Sequence, residues 1–154
     1  MKRKIVNFTW DNEDAQEIFA EWCPFPDAVS TAKDVDRIET LVGLKSPLRV
    51  LDVGCGNGRH AIEMAKRGYH VVGIDVAKRF LEEAKQNLSA SGQEVEFRFQ
   101  RACELLETEA FDFALAFWHT IGFMSHEEIQ RHFTAICKAL KPEASFLYVF
   151  KGPV

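Results

Sequence analysis

The sequence predicts an α/β fold: a doubly wound, mainly parallel sheet of about five strands, with helices on both faces. Three observations carry this. Four short runs, Leu48–Val53, His70–Asp75, Phe111–Phe117 and Ala144–Phe150, are nearly continuous in apolar residues, as strands buried on both faces should be. Amphipathic patterns of helical period lie between them. A glycine cluster, Gly54-Cys-Gly-Asn-Gly58, follows the first run where a strand would hand over to a helix. Alternation of this kind builds a parallel sheet with crossover helices.

The 154 residues suit one domain, 1–154. Apolar residues at 47% and charged residues at 27% exclude global disorder. A net charge of −4 disfavours a nucleic-acid backbone as main partner, because phosphate binding is chiefly a cationic effect. No apolar run approaches the roughly 20 residues that span a bilayer, and no apolar stretch follows the basic Met1-Lys-Arg-Lys4 as in a secretory leader. Cys23, Cys55, Cys103 and Cys137 are 32, 48 and 34 residues apart, with no CxxC pair, so neither a structural zinc site nor a disulfide framework is expected. The reading is a reduced, cytoplasmic protein with no membrane partner.

Residues 1–30 read as irregular and rich in aromatics: Phe8, Trp10, Phe19, Trp22 and Phe25, with Pro24 and Pro26. They either cover the apolar end of the sheet or form a lid. A helix is predicted from Thr31, with Asp34 as its partner in a capping-box-like start, through Val35, Ile38, Leu41 and Val42 to a stop at Gly43. The first strand leads through the glycines to a helix at about Arg59 to Arg67, closed by Gly68. After the second strand, Ala77, Phe80, Leu81, Ala84 and Leu88 mark an amphipathic helix. Val95, Phe97 and Phe99 alternate with polar residues, as in a less buried strand. Past the fourth strand, Ser125 and Glu128 form a capping box; Ile129, Phe133, Ile136, Cys137 and Leu140 give the helix an apolar face, and Pro142 ends it.

Asp52-Val-Gly54-Cys-Gly56-Asn-Gly58 carries the chemistry. By composition a D-x-G-x-G-x-G match arises in a chain this long with odds of roughly 1 in 400, so the motif outweighs a simple turn. A dinucleotide fingerprint is GxGxxG, but Arg59 stands where its third glycine belongs. No GK[ST] follows, which excludes a P-loop. An acid two positions before the first glycine suits a ligand with a cationic centre and a free amino group rather than a pyrophosphate.

Here the chain resembles the class I S-adenosylmethionine-dependent methyltransferases, over about residues 31–150. VLDVGCGNGRHA is similar to that family's first motif, and GYHVVGIDVAKRFLEEAK to the region of its ribose-binding acid. FDFALAFWHTIGF and SHEEIQRHFTAICKALKPEASFLYVF resemble its fourth strand, next helix and fifth strand. The resemblance implies a Rossmann-like methyltransferase fold that binds S-adenosylmethionine, releases S-adenosylhomocysteine and methylates a small-molecule acceptor. Gly54, Cys55, Gly56 and Gly58 would let the backbone approach the cofactor. The helix start near Arg59 would face its carboxylate. Asp52 would hold its amino group, and Asp75, next to Val76, its ribose hydroxyls. Asp75 as a helix cap is the competing reading. Ala102, Cys103 and Phe117 complete the expected pocket.

One position departs from the family. After the third strand an acid usually recognises the adenine amine; Gln100-Arg-Ala-Cys-Glu104 offers Arg101 or Ala102 there. Backbone at Ala102 and Cys103, or the Glu104 carboxylate, are the available substitutes. Methyl transfer needs mainly positioning and exclusion of water. His119, after the fourth strand, is the candidate catalytic base, against a merely packed histidine. The Asn/Asp-Pro-Pro-aromatic pattern of amide and adenine methylation is absent. Two alternatives stay open: a cofactor-binding but inactive module, and a nicotinamide-dependent oxidoreductase.

Similar enzymes continue past the fifth strand with a helix and an antiparallel strand pair, which this sequence lacks after Lys151-Gly-Pro-Val154. The uncharged run Ala144–Phe150 would then lie at an open edge, a template for pairing. A two-fold homodimer through that edge is expected.

Overall fold

In a computed structural model, residues 9–118 and 124–149 are described. Helices α1 (Glu13–Trp22) and α2 (Ala28–Val42) precede β1 (Arg49–Val53), α3 (Arg59–Lys66), β2 (His70–Asp75), α4 (Lys78–Ser91) and β3 (Val95–Phe99). A 3₁₀ turn, Ala102–Glu104, leads to β4 (Phe111–Phe117), α5 (His126–Ala139) and β5 (Leu140–Val149). All strand pairs are parallel, in the order β3-β2-β1-β4-β5. The chain order reverses between β1 and β4, where such sheets bind ligands beyond their strand ends.

Side-chain alternation divides the core into two layers. Leu51, Val53, Val72, Ile74, Ala114 and Ala116 face the 3₁₀ turn and α5, through Ala102, Leu105, Ile136 and Ala139. Val50, Val71, Phe113 and Leu115 face α2 and α3, through Val35, Ile38, Ala61 and Met64. Arg67, at the end of α3, fastens the second layer: its guanidinium reaches Asp36, Glu39, Glu63 and the Ala32 carbonyl at 2.6–3.1 Å.

The structure corrects several expectations. Residues 13–22 are helical, capped by the Asn12 side chain on the Ala15 N–H. The second helix starts at Ala28, because Asp27 caps it through the Ser30 N–H. Thr31 lies inside that helix and bonds back to the Asp27 carbonyl, while Asp34 pairs with Arg59 across the layer. In α5 the buried stripe is His132, Ile136 and Ala139, Cys137 is exposed, and Leu140 already belongs to β5. The helix therefore ends before Pro142, and the irregular start of β5 between Leu140 and Ser145 absorbs the proline. The candidate base His119, and Phe150 at the end of the predicted last strand, lie outside the described residues.

Gly73 is required by packing rather than by backbone conformation. A Cβ there would sit 2.8 Å from the Phe97 ring and 3.0 Å from the Cys55 Sγ. Gly73→Ala should cost about 1–3 kcal/mol of stability by overpacking. The double variant Gly73→Ala/Phe97→Leu should recover part of the loss in denaturant titrations. A double variant whose loss equals the sum of the two single losses would show that the contact is not the cause.

Candidate functional site: a glycine-lined cleft

Where the strands end, the chain forms a cleft that is partly open to solvent. Its floor is the loop after β1, with Gly54, Cys55 and Gly56. All three glycines of the motif have positive φ, between 53° and 77°, which a side chain rarely tolerates. The loop is held from below, because the Gly54 and Cys55 N–H groups both donate to the Ile74 carbonyl, at 2.8 and 3.1 Å. From the side, Asp75 Oδ2 accepts the Gly56 N–H at 2.7 Å while its Oδ1 accepts the Ala77 N–H at 2.8 Å. Asp75 thus holds the turn that leads into α4, whose N-cap is Ala77, and it also lines the cleft with Val76. Burial raises its pKa, and the two backbone donors oppose that.

Gly54, Cys55, Gly56, Asp75, Val76, Ala102 and Phe117 all line the cleft. Three expected residues do not. Gly58 turns toward α4 and β3, where a Cβ would meet the Phe97 ring at 2.6 Å; it starts α3 and supports the loop from behind. Cys103 lies in the 3₁₀ turn beside the lining residue Ala102. Asp52 shares the Val50 face of β1 by strand alternation, so it sits beneath the start of α3 at 1% exposure.

Asp52 is the least satisfied group of the site. Its Oδ2 is buried with no hydrogen-bond partner. Burial pushes its pKa up to about 7; Arg59 and the Ala61 N–H oppose the shift, and Asp75 adds to it. A buried carboxylate short of one partner at the foot of the glycine loop matches a cationic ligand group.

The other walls combine residues named from the sequence (Arg59 and the N-terminal aromatics) with residues that were not, His60, Met124 and His132. Arg59, 10% exposed, hydrogen-bonds Thr31 and Asp34 and lies 5.2 Å from the Trp118 ring centroid. His60 packs its ring 4.3 Å from that of Phe117 and faces Asp34 at 3.4 Å. Met124, His132, Gln100 and Arg101 complete the lining. Trp10, Phe19 and Phe25 form a roof, stacked edge-to-face on one another and on Phe80 at centroid separations of 4.9–6.5 Å. Phe25 comes so close to Gly56 that a Cβ there would meet it at 3.0 Å. Arginine and histidine at a helix start were legible as charge beside the motif; the roof needed tertiary contacts.

The family model for the methyltransferase domain matches residues 50–143, from β1 into β5. The chain belongs to this family, within the class I S-adenosylmethionine-dependent methyltransferases. A protein of Geobacillus sp. (strain WCH70) that bears a methyltransferase name is 32% identical over 69% of this chain and 43% of its own length. A ubiquinone biosynthesis O-methyltransferase of Leptothrix cholodnii is 48% identical over 47% of this chain and 31% of that protein. Among solved structures, the PH0226 protein of Pyrococcus horikoshii OT3 shares the fold with a TM-score of 0.75 at 23% identity, over 90% of this chain and 66% of that one. The chain spans less than half the length of these two curated relatives.

The raised pKa of Asp52 makes stability depend on pH. Between its ordinary 3.8 and about 7, the folded chain keeps a proton that the unfolded chain has lost. The Asp52 contribution therefore favours folding most at the acid end, declines as pH rises through this window, and is level above it. Asp52→Asn should remove that slope. Denaturant titrations of parent and variant from pH 4 to 8 check it, and parallel curves across the window would refute the assignment.

Proposed function

We propose that this chain binds S-adenosylmethionine in the cleft and transfers its methyl group to a small, largely apolar acceptor, with S-adenosylhomocysteine as the product. One observation carries the reading: a glycine loop and a carboxylate at the end of β2 line one cleft and are hydrogen-bonded to each other through Gly56, and a buried carboxylate with an unpartnered oxygen lies on the strand that leads into the loop. The cofactor, when bound, supplies an activated methyl group on a sulfonium centre.

The chain's own residues then have separable tasks. Asp75 keeps free lone pairs beside its two backbone donors, and these accept from ribose hydroxyls. Asp52 compensates the positive charge of the methionine end. At the start of α3 the N-cap Gly58 offers no capping side chain; Asp52 takes the Ala61 N–H, and the N–H groups before it are left for the carboxylate. The aromatic roof from α1 excludes water, a requirement for transfer to an acceptor other than water. Phe117, Trp118 and Met124 give the acceptor wall its apolar character. Relatives named as ubiquinone biosynthesis O-methyltransferases favour an oxygen nucleophile.

Two further readings concern the setting and the assembly of the chain. Among the described residues no helix is long and apolar enough to cross a membrane. The four cysteines are free, which favours a reducing cytoplasmic setting. In the described sheet β5 pairs only with β4 and so forms an edge. Its Phe146, Leu147 and Tyr148 favour association with a second copy, which sedimentation at several concentrations tests; a clean monomer at high micromolar concentration would refute it.

Calorimetric titration with S-adenosylhomocysteine, and with NAD in parallel, tests the main proposal. The parent should bind the first and not the second. Asp75→Ala should weaken binding by about 1.5–3 kcal/mol, the range for a hydrogen bond to a charged group. Selective binding of NAD, or an Asp75→Ala variant that folds and binds like the parent, would overturn the reading.

A further inference from the structure

We propose that His132 recognises the adenine 6-amino group, in place of the acid that this chain lacks after β3. The inference rests on the cofactor reading above. Asp75 is the single carboxylate on the cleft wall among the described residues, and the ribose is assigned to it. The substitute that the sequence offered, Glu104, is occupied elsewhere: its carboxylate accepts the Arg101 N–H at 3.1 Å on an exposed face. Arg101 itself turns to Asp11, 2.8 Å away. Neither group leaves an acceptor in the cleft for an amine at this end.

His132 does. It is 5% exposed and lines the cleft. It projects from α5, the helix that packs against the Ala102–Glu104 turn. Ile136, one helical turn further on, shares a core cluster with Ala102. His132 therefore lines the cleft from the helix that packs on the turn following β3, the turn in which the family's acid would be sought. Its Nδ1 lies 2.7 Å from the Glu128 carbonyl oxygen. A carbonyl only accepts, so Nδ1 carries the proton. In the neutral ring Nε2 is then an acceptor, which is what an exocyclic amine requires.

A ligand cycle tests this with binding alone. S-adenosylhomocysteine is compared with the analogue carrying hydrogen in place of the 6-amino group, by calorimetry on the full chain. The parent should prefer the amino ligand by roughly 5- to 10-fold, the value of one neutral hydrogen bond. His132→Phe and His132→Leu should bind both ligands about equally, whereas His132→Gln, which keeps an acceptor, should retain part of the preference. A purely structural role would weaken both ligands alike and leave the ratio unchanged. ¹⁵N NMR of the parent supplies an arm free of folding effects: the Nε2 resonance of His132 should move upfield with the amino ligand and stay in place with the analogue. An unchanged ratio in the variants, with the preference residing instead in the neighbouring Gln100, overturns the assignment alone. A parent that binds neither ligand overturns the cofactor reading and this inference with it.

Discussion

The Asp75 carboxylate ties together the parts of the molecule that make the cleft. One oxygen holds the glycine loop through Gly56 and the other holds the entry to α4 through Ala77. The loop N–H groups at Gly54 and Cys55 are spent on the Ile74 carbonyl, one residue earlier on the same strand. The loop is thus anchored to β2 at three points, with Gly54 and Gly56 lining the cleft and Gly58 packed behind them. That arrangement explains why a carboxylate stands at the end of β2 whatever ligand is bound. A neutral side chain there would lose a charge-assisted partner for two backbone donors as well as any contact with a ribose.

Asp52 is the complement of this anchoring. The same alternation that buries Leu51 and Val53 against α5 turns Asp52 under α3. There it meets the Ala61 N–H and the field of Arg59, too little to balance its burial. The folded chain thus holds an electrostatic deficit directly beneath the loop. A cationic ligand offsets that deficit on binding, so part of its affinity derives from relief of strain already present in the protein.

How much of this was legible in the sequence follows from which forces are local. His70–Asp75 and Phe111–Phe117 coincide with β2 and β4, because strands buried on both faces read as uninterrupted apolar runs bounded by polar or turn residues. The glycine motif announced the loop, since positive φ at alternate positions excludes most other residues. Helix α1 was not legible. Its flanking prolines and scattered aromatics suggest irregular chain, and the helix is secured by rings from distant segments, Phe25 and Phe80. The start of α2 was misplaced because Thr31 and Asp27 are both competent caps, and only the tertiary pairing of Asp34 with Arg59 separates them. His132 escaped notice for a related reason: at helical spacing it joins Ile136 and Ala139 on the buried face, but a histidine does not count toward an apolar stripe.

The roof is held differently from the floor it covers. Its inner contacts are apolar: Phe25 against Gly56, and Phe19 and Phe25 against Phe80. Among its polar contacts are a Gln16 bond to the Trp10 carbonyl within the segment and a solvent-exposed ion pair, Asp11 to Arg101. An exposed pair of this kind contributes only about 0–1 kcal/mol. Aromatic packing therefore holds the segment down, and the same rings gain area when an apolar ligand fills the space beneath them. The loop anchored by Asp75 is tied to β2 by hydrogen bonds, whereas the roof rests on it through rings. Were the segment to act as a lid over the cofactor proposed above, it would close apolar surface over groups that the strand ends already hold in place.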